Sequence, residues 1–180
     1  DNIQMLHSIE EGIMKAMYIV GEDMALVDSN ANYVHDVLSQ LDFLVVQDVF
    51  FSRTAQYADV ILRAVPSLEK DGTFTNTERR VQRLYKALPE LGQAKPDWWI
   101  VQEIANRLGQ HWEYQHPGDI FAEMASLSPL FSQADYSVLE GWDSFLWGSL
   151  DGESTPLLYM DGFNFPDKKA RFALSDWVEP

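Results

Sequence analysis

The sequence predicts an α/β fold: a doubly wound, mostly parallel sheet flanked by helices over residues 1–110, then a smaller, irregular extension over 111–180 that ends in a β-hairpin. Three observations predict it. Short apolar runs recur at "AMYIV", "DFLVV" and "DVIL", each long enough for a buried strand and too short for a globular helix. Stretches of helical periodicity lie between the first runs, the alternation that builds strand–helix–strand crossovers and a parallel sheet. From about residue 110 the alternation stops and aromatic-rich short segments take over.

The elements follow in order. Over residues 3–17, Leu6, Ile9, Ile13 and Met17 share one helical face, so a helix is expected there. "AMYIVGED" is a buried strand, Tyr18 to Val20, running into a Gly21-Glu22-Asp23 loop. In "DSNANYVHDVLSQL", Asp28, Ser29 or Asn30 can cap a helix with Val34, Val37, Leu38 and Leu41 as its apolar stripe. "DFLVVQDVF" is a second buried strand, Phe43 to Val46, ending in Gln47-Asp48. "SRTAQYA" suits a short helix and "DVILRAV" a third strand, broken at Pro66-Ser67. "EKDGTFTNTERRVQR" then reads as a turn at Asp71-Gly72 with small hydroxylated residues around it. After the loop "LPELGQAKP", "DWWIVQEIANRLG" is a helix with Asp97 able to cap it. Ile100, Ile104 and Leu108 form its face, and Gly109 stops it. The ending "PLLYMDGFNFPDKKARFAL" reads as two strands around a Pro-Asp turn.

Composition narrows the function. The chain has 180 residues, 46% of them hydrophobic, enough for a sizeable core. A formal charge of -15 argues against nucleic acid or an anionic membrane as partner, since both demand a broad basic surface. With no Cys, this chain supplies no disulfide, no Cys zinc site, no Cys nucleophile and no ligand for an iron–sulfur cluster. Lack of Cys suits a reducing compartment, and a cytoplasmic location is expected. No apolar run reaches the roughly 20 residues of a membrane span. A start at Asp, within a helical pattern and without a leader, is expected of a piece of a longer polypeptide.

Several chemistries have no carrier here. There is no G-x-G-x-x-G after a strand, no P-loop and no G-x-S-x-G elbow. The four histidines, His7, His35, His111 and His116, lack paired metal-ligand spacing. What remains is carboxylates at strand ends, where open parallel sheets bind ligands. A carboxylate there can accept ribose hydroxyls or, through both oxygens, the N1–H and N2–H₂ edge of guanine. Asp23, Asp48 and Asp97 are the candidates. Their plain alternatives are a turn residue, an exposed strand end and a helix cap. One basic passage stands out: Lys70, Arg79, Arg80, Arg83 and Lys86 are five of the 13 Lys and Arg residues.

Four segments carry a resemblance. "MYIVGED", "LDFLVVQDVFFSRTAQYADVIL", "EKDGTFTNTERRVQRLYKAL" and "KPDWWIVQEIANRLG" occur in the order and spacing seen in prokaryotic molybdopterin oxidoreductases, above all the molybdenum-bearing catalytic subunit of formate dehydrogenases. The ending "LLYMDGFNFPDKKARFALSDW" also resembles that subunit, so the likeness covers essentially the whole chain. The resemblance implies an internal fragment of such an oxidoreductase, with residues 1–110 in its dinucleotide-binding region. It implies a bis(molybdopterin guanine dinucleotide) cofactor with Mo or W in the parent, and a 4Fe-4S cluster held outside this chain. The parent would oxidise formate to CO₂; the fragment, without the thiol or selenol and the cluster ligands, is expected to be inactive and to hold no cofactor alone. Partners implied are the remaining domains of the subunit and an electron-transfer subunit.

Residue by residue, the resemblance assigns cofactor contacts to Asp23, Gln47, Asp48, Lys70 and Asp97. Asp48 would take ribose hydroxyls, Asp97 the guanine edge, and Lys70 the neighbourhood of the phosphates or pterin. All five are expected at one edge of the sheet. Arg79, Arg80 and Arg83 have less claim to the cofactor than to ion pairs with surface acids or with a neighbouring domain. Two positions depart from the family pattern: Arg63 stands where Pro is usual, and Met24 where Pro often follows the strand-end acid. The competing readings are the large peripheral subunit of a respiratory NADH–quinone reductase, where the fold survives as a scaffold, and a free-standing nucleotide-binding or interaction module.

Overall fold

The structure, a computed structural model, describes residues 2–132, 134–148 and 157–174. It divides into two compact units, residues 1–73 with 83–120, and residues 74–82 with 121–180.

The first unit is built on a parallel sheet of β1 (Ala16–Val20), β2 (Phe43–Asp48) and β3 (Val60–Arg63), in the order β1-β2-β3. Its register pairs Val20 with Gln47 and Asp48 with Arg63. Helices α1 (Asn2–Glu10), α2 (Met24–Val27) and α3 (Ala31–Leu38) cover it, and Leu6, Ile9, Ile19, Met24, Val34, Val37, Leu38, Leu44 and Val46 form one buried core with them. The apolar stripe of α3 is therefore the predicted one, with Leu41 packed against the core just beyond its end.

Several elements differ from expectation, each for a local reason. Helix α1 ends at Glu10 because Gly12 adopts φ 70°, a left-handed stop that glycine takes without strain. Ile13 is consequently exposed and Met17 belongs to β1. Strand β1 lies at the sheet edge, with Tyr18 and Val20 exposed and only Ile19 buried. Met24–Val27, just after the expected Gly21-Glu22-Asp23 loop, is a short helix that the sequence reading does not assign. The cap of α3 is Asn30 in the left-handed region (φ 59°), without a side-chain cap bond. The expected turn at Asp71-Gly72 is instead the start of a strand: β4 (Gly72–Thr75) and β5 (Arg80–Leu84) are a hairpin turned at residues 76–79. There Asn76 N–H donates to Arg80 O (3.1 Å) and Arg79 has φ 71°.

Helix α4 (Asp97–Arg107) follows the loop after β5, and α5 (Pro117–Leu127) follows α4. Ile100 is buried on α4, but Leu108 is exposed, and Gln102 takes the buried place by bonding the backbone of Tyr114. The second unit has a core of Val81, Phe121, Ala134 and Leu139, ringed by Phe131, Tyr136, Phe145 and Trp147. In it β6 (Ser144–Leu146) pairs antiparallel with β5, Arg80 opposite Leu146. The aromatic-rich segments are short helices and turns, as their composition suggests. The terminal strand pair is corrected. Residues 157–174 carry no strand, although Phe163 and Lys168 close a turn around Pro166-Asp167 (Phe163 N–H to Lys168 O, 3.0 Å). Pro156, the first residue of that expected pair, lies outside the described residues.

Candidate functional site

Parallel strands send their carboxyl ends the same way, so Val20, Asp48 and Arg63 end at one rim of the sheet. Helix α4 begins at that rim for a specific reason. Beyond β3 the chain pairs with the loop ahead of α4: Lys95 N–H donates to Arg63 O (3.0 Å) and Val65 N–H to Lys95 O (3.1 Å). Asp97, the first residue of α4, follows two positions later. Lys70 is presented by a 3₁₀ turn, Ser67–Glu69, pinned where Ala87 and Leu88 N–H donate to Leu68 O (2.8 and 2.9 Å).

Three predicted residues meet there. Gln47, fully buried, donates from Nε2 to Asp97 Oδ1 at 2.7 Å. Lys70 Nζ donates to Asp97 Oδ2, an ion pair about one-third exposed, with side-chain exposures of 26% and 36%. Tyr18 Oη donates to Gln47 Oε1. The register explains that last contact: Val20 lies opposite Gln47, and Tyr18, two residues earlier, shares its face of the sheet. Asp97 is thus no plain cap, for the cap position of α4 is Pro96 and both Asp97 oxygens face the cluster.

The other two predicted residues lie at strand ends but outside this hydrogen-bonded cluster. Asp23, following β1, accepts from Thr54 N–H (2.8 Å), Thr54 Oγ1 (2.7 Å) and Arg53 N–H (3.1 Å). Thr54 Oγ1 in turn accepts from Ala25 N–H at 3.0 Å, so the loop after β1 and the loop after β2 are clasped together. Asp48, ending β2, accepts only from the next amide, Val49 N–H at 2.6 Å, among the described residues. Sequence reasoning missed Tyr18 and Thr54. A tyrosine near the end of an apolar strand, and a hydroxyl opening a short helix, were the only signals.

Electrostatics separates the groups. Burial acts on Asp23 to raise its carboxyl, but hydrogen bonds from the Thr54 side chain and from the Thr54 and Arg53 amides, with the Arg53 charge, outweigh it and hold it below the ordinary value. Burial, and then the Asp97 charge, pushes the Tyr18 phenol above its ordinary 10.0, so it stays a donor at neutral pH.

The remaining cations of the basic passage turn to their own surroundings. Arg79 donates to Trp147 O at 2.6 Å and lies over that ring. Arg80 pairs with Glu78 at 2.6 Å and donates to Ser144 Oγ. Arg83 stacks over Tyr85, and Lys86 pairs with Glu90 at 3.0 Å. Arg63, the departure from the usual Pro, ends β3 and donates to Gln93 Oε1.

A family model described as molybdopterin oxidoreductase matches residues 1–107. The chain belongs to that family. A Bacillus subtilis (strain 168) protein named "Putative formate dehydrogenase YrhE" is 82% identical over 180 residues, which is all of this chain and 18% of that protein. A Staphylococcus aureus (strain USA300) protein of the same description is 54% identical over 177 residues, 97% of this chain and 18% of its own length. The chain therefore spans about a fifth of the curated relatives it matches. Its fold is similar to that of acetylene hydratase from Pelobacter acetylenicus, with a TM-score of 0.68 at 17% identity, over 91% of this chain and 23% of that one.

The family implies a molybdopterin group with Mo or W, and the donor set at the rim suits such a ligand. Asp48 keeps one oxygen with no partner among the described residues. Asp97 has used two of the roughly four acceptor directions a carboxylate offers. Lys70 brings positive charge, and the amino end of the 11-residue α4 adds its partial charge. Among the described residues no cluster of His, Cys, Asp or Glu could hold a metal ion, and no helix is long and apolar enough to cross a membrane.

Proposed function

We propose that this chain is an internal segment of the catalytic subunit of a molybdenum- or tungsten-dependent formate dehydrogenase, and that its sheet rim binds one guanine dinucleotide arm of a bis(molybdopterin guanine dinucleotide) cofactor. The observation that carries the reading is the convergence of Gln47, Lys70 and Asp97 at the carboxyl end of a parallel sheet. The names of the relatives support formate as substrate.

When bound, such a cofactor would supply the two-electron chemistry that takes formate to CO₂ and a proton, and a 4Fe-4S cluster elsewhere in the parent would accept the electrons. This chain's residues bind and orient. Asp48 offers its open oxygen to ribose hydroxyls. Asp97 offers remaining lone pairs to the guanine N1–H and N2–H₂ edge, a planar two-point match. Gln47 and Lys70 hold that carboxylate in place, and Lys70 also lowers the cost of bringing phosphates near an acidic protein. Asp23 clasps the two loops that shape the rim. The remaining domains of the subunit and an electron-transfer subunit, in the cytoplasm, are the partners this function requires.

Asp48→Ala in the intact parent tests it. Losing one charge-assisted hydrogen bond weakens binding by about 1.5–3 kcal/mol, roughly ten- to a hundredfold. Molybdenum or tungsten per polypeptide should therefore fall while the unfolding temperature holds. Full metal occupancy in the variant would remove Asp48 from the site.

A further inference from the structure

We infer that Tyr18 is a positioning residue for guanine recognition: its hydroxyl satisfies the buried Gln47 carbonyl and so holds in place the amide that restrains the Asp97 carboxylate. This rests on the reading of Asp97 as the guanine-binding acid and extends it to a residue that acts through Gln47.

The argument is one of donor and acceptor accounting. A carboxylate only accepts, so Gln47 must turn its NH₂ toward Asp97, as the 2.7 Å contact from Nε2 requires. That leaves the Gln47 carbonyl facing the other way, in a residue with no exposed surface. A buried carbonyl needs a donor, and the Tyr18 hydroxyl supplies it. Were the amide flipped, its oxygen would face the Asp97 carboxylate, two acceptors in contact. Asp97 thus selects the amide orientation, and Tyr18 supplies the donor that makes that orientation tenable for the buried carbonyl. Lys70 restrains the other Asp97 oxygen, so the carboxylate plane is held from two sides before any ligand arrives. A planar base edge read by two oxygens depends on that plane, which makes the arrangement a device for specificity as well as affinity. Tyr18 itself is a half-exposed residue of an edge strand, with its phenol raised above 10.0, so it remains protonated across the physiological range. Phenylalanine at this position keeps the ring and loses only the donor.

The test uses the intact parent subunit and counts guanine nucleotide released per polypeptide after acid hydrolysis, in wild type, Tyr18→Phe, Asp97→Asn and the double variant. Tyr18→Phe should lower the count about threefold to tenfold, the worth of one neutral hydrogen bond. If Tyr18 acts through Asp97, adding Tyr18→Phe to Asp97→Asn should change nothing more, because the two changes break one chain of contacts. A merely structural tyrosine would lower the count in both backgrounds alike, and that result overturns the inference. Depletion in Asp97→Asn with a full count in Tyr18→Phe also overturns it and leaves the guanine reading standing. A full count in Asp97→Asn overturns the guanine reading itself.

Discussion

The chain has two places where charge gathers, and they behave differently. At the sheet rim, Lys70 and Asp97 pair beside the buried amide of Gln47, and the carboxylate keeps acceptor capacity to spare. On the β4–β5 hairpin, Arg79 and Arg80 are spent on Trp147, Glu78 and Ser144. By count of cations the hairpin is the richer anion site. By topology the rim is the place where parallel strand ends and a helix start bring together groups that lie far apart in sequence. Under the proposed reading, the position of single charges at element ends outweighs the density of charge along the sequence.

The largest expected break falls on the clasp beneath the rim. Asp23→Ala removes the acceptor of three donors, two of them on fully buried Thr54, and should destabilise the chain by about 3 kcal/mol in urea unfolding. The same contact has a pH signature. Because the folded carboxyl lies below its ordinary 3.8, its stabilisation is complete above that value and is lost as pH falls through the lower folded value. In Asp23→Asn the acid limb of the stability profile, below about pH 4, should flatten. An unchanged acid limb would mean the clasp is not formed in solution.

Smaller effects belong to the hairpin. Arg79→Ala loses a bond to Trp147 O and a stacked ring and should cost about 1–2 kcal/mol. It should leave cofactor content in the parent unchanged. Arg80→Ala, which breaks an exposed pair with Glu78 and a bond to Ser144 Oγ, should cost about 1 kcal/mol or less. A large loss in Arg80→Ala would show that the hairpin depends on its ion pair, and would blur the contrast with the rim.

Much of the first unit was legible in the sequence. Three apolar runs gave the three strands, and the stripe of Val34, Val37 and Leu38 gave α3, because burial there follows simple periodicity. The stop of α1 was missed because Ile13 and Met17 extend the helical period past Gly12, whose left-handed φ ends it. The β4–β5 hairpin was hidden because "GTFT" and "RVQRL" lack an apolar run, and only Val81 is buried in β5. At the site, the resemblance supplied Gln47, Lys70 and Asp97, but their meeting depends on the Lys95 segment pairing beside Arg63, a non-local contact no local pattern encodes. Tyr18 was illegible for the same reason: its partner lies one strand away, and only the β1–β2 register makes it the neighbour of Gln47.

The most direct measurement sets the rim against the hairpin in one experiment. Guanine nucleotide and molybdenum per polypeptide would be measured in the purified parent subunit carrying Asp97→Asn or Arg80→Ala. Asp97→Asn keeps the side chain's size and an acceptor for Gln47 but cannot take the two-point guanine edge, so both counts should fall about tenfold or more. Arg80→Ala should match the wild type. Full occupancy in Asp97→Asn, or an equal loss in Arg80→Ala, would contradict the assignment of the dinucleotide to the sheet rim.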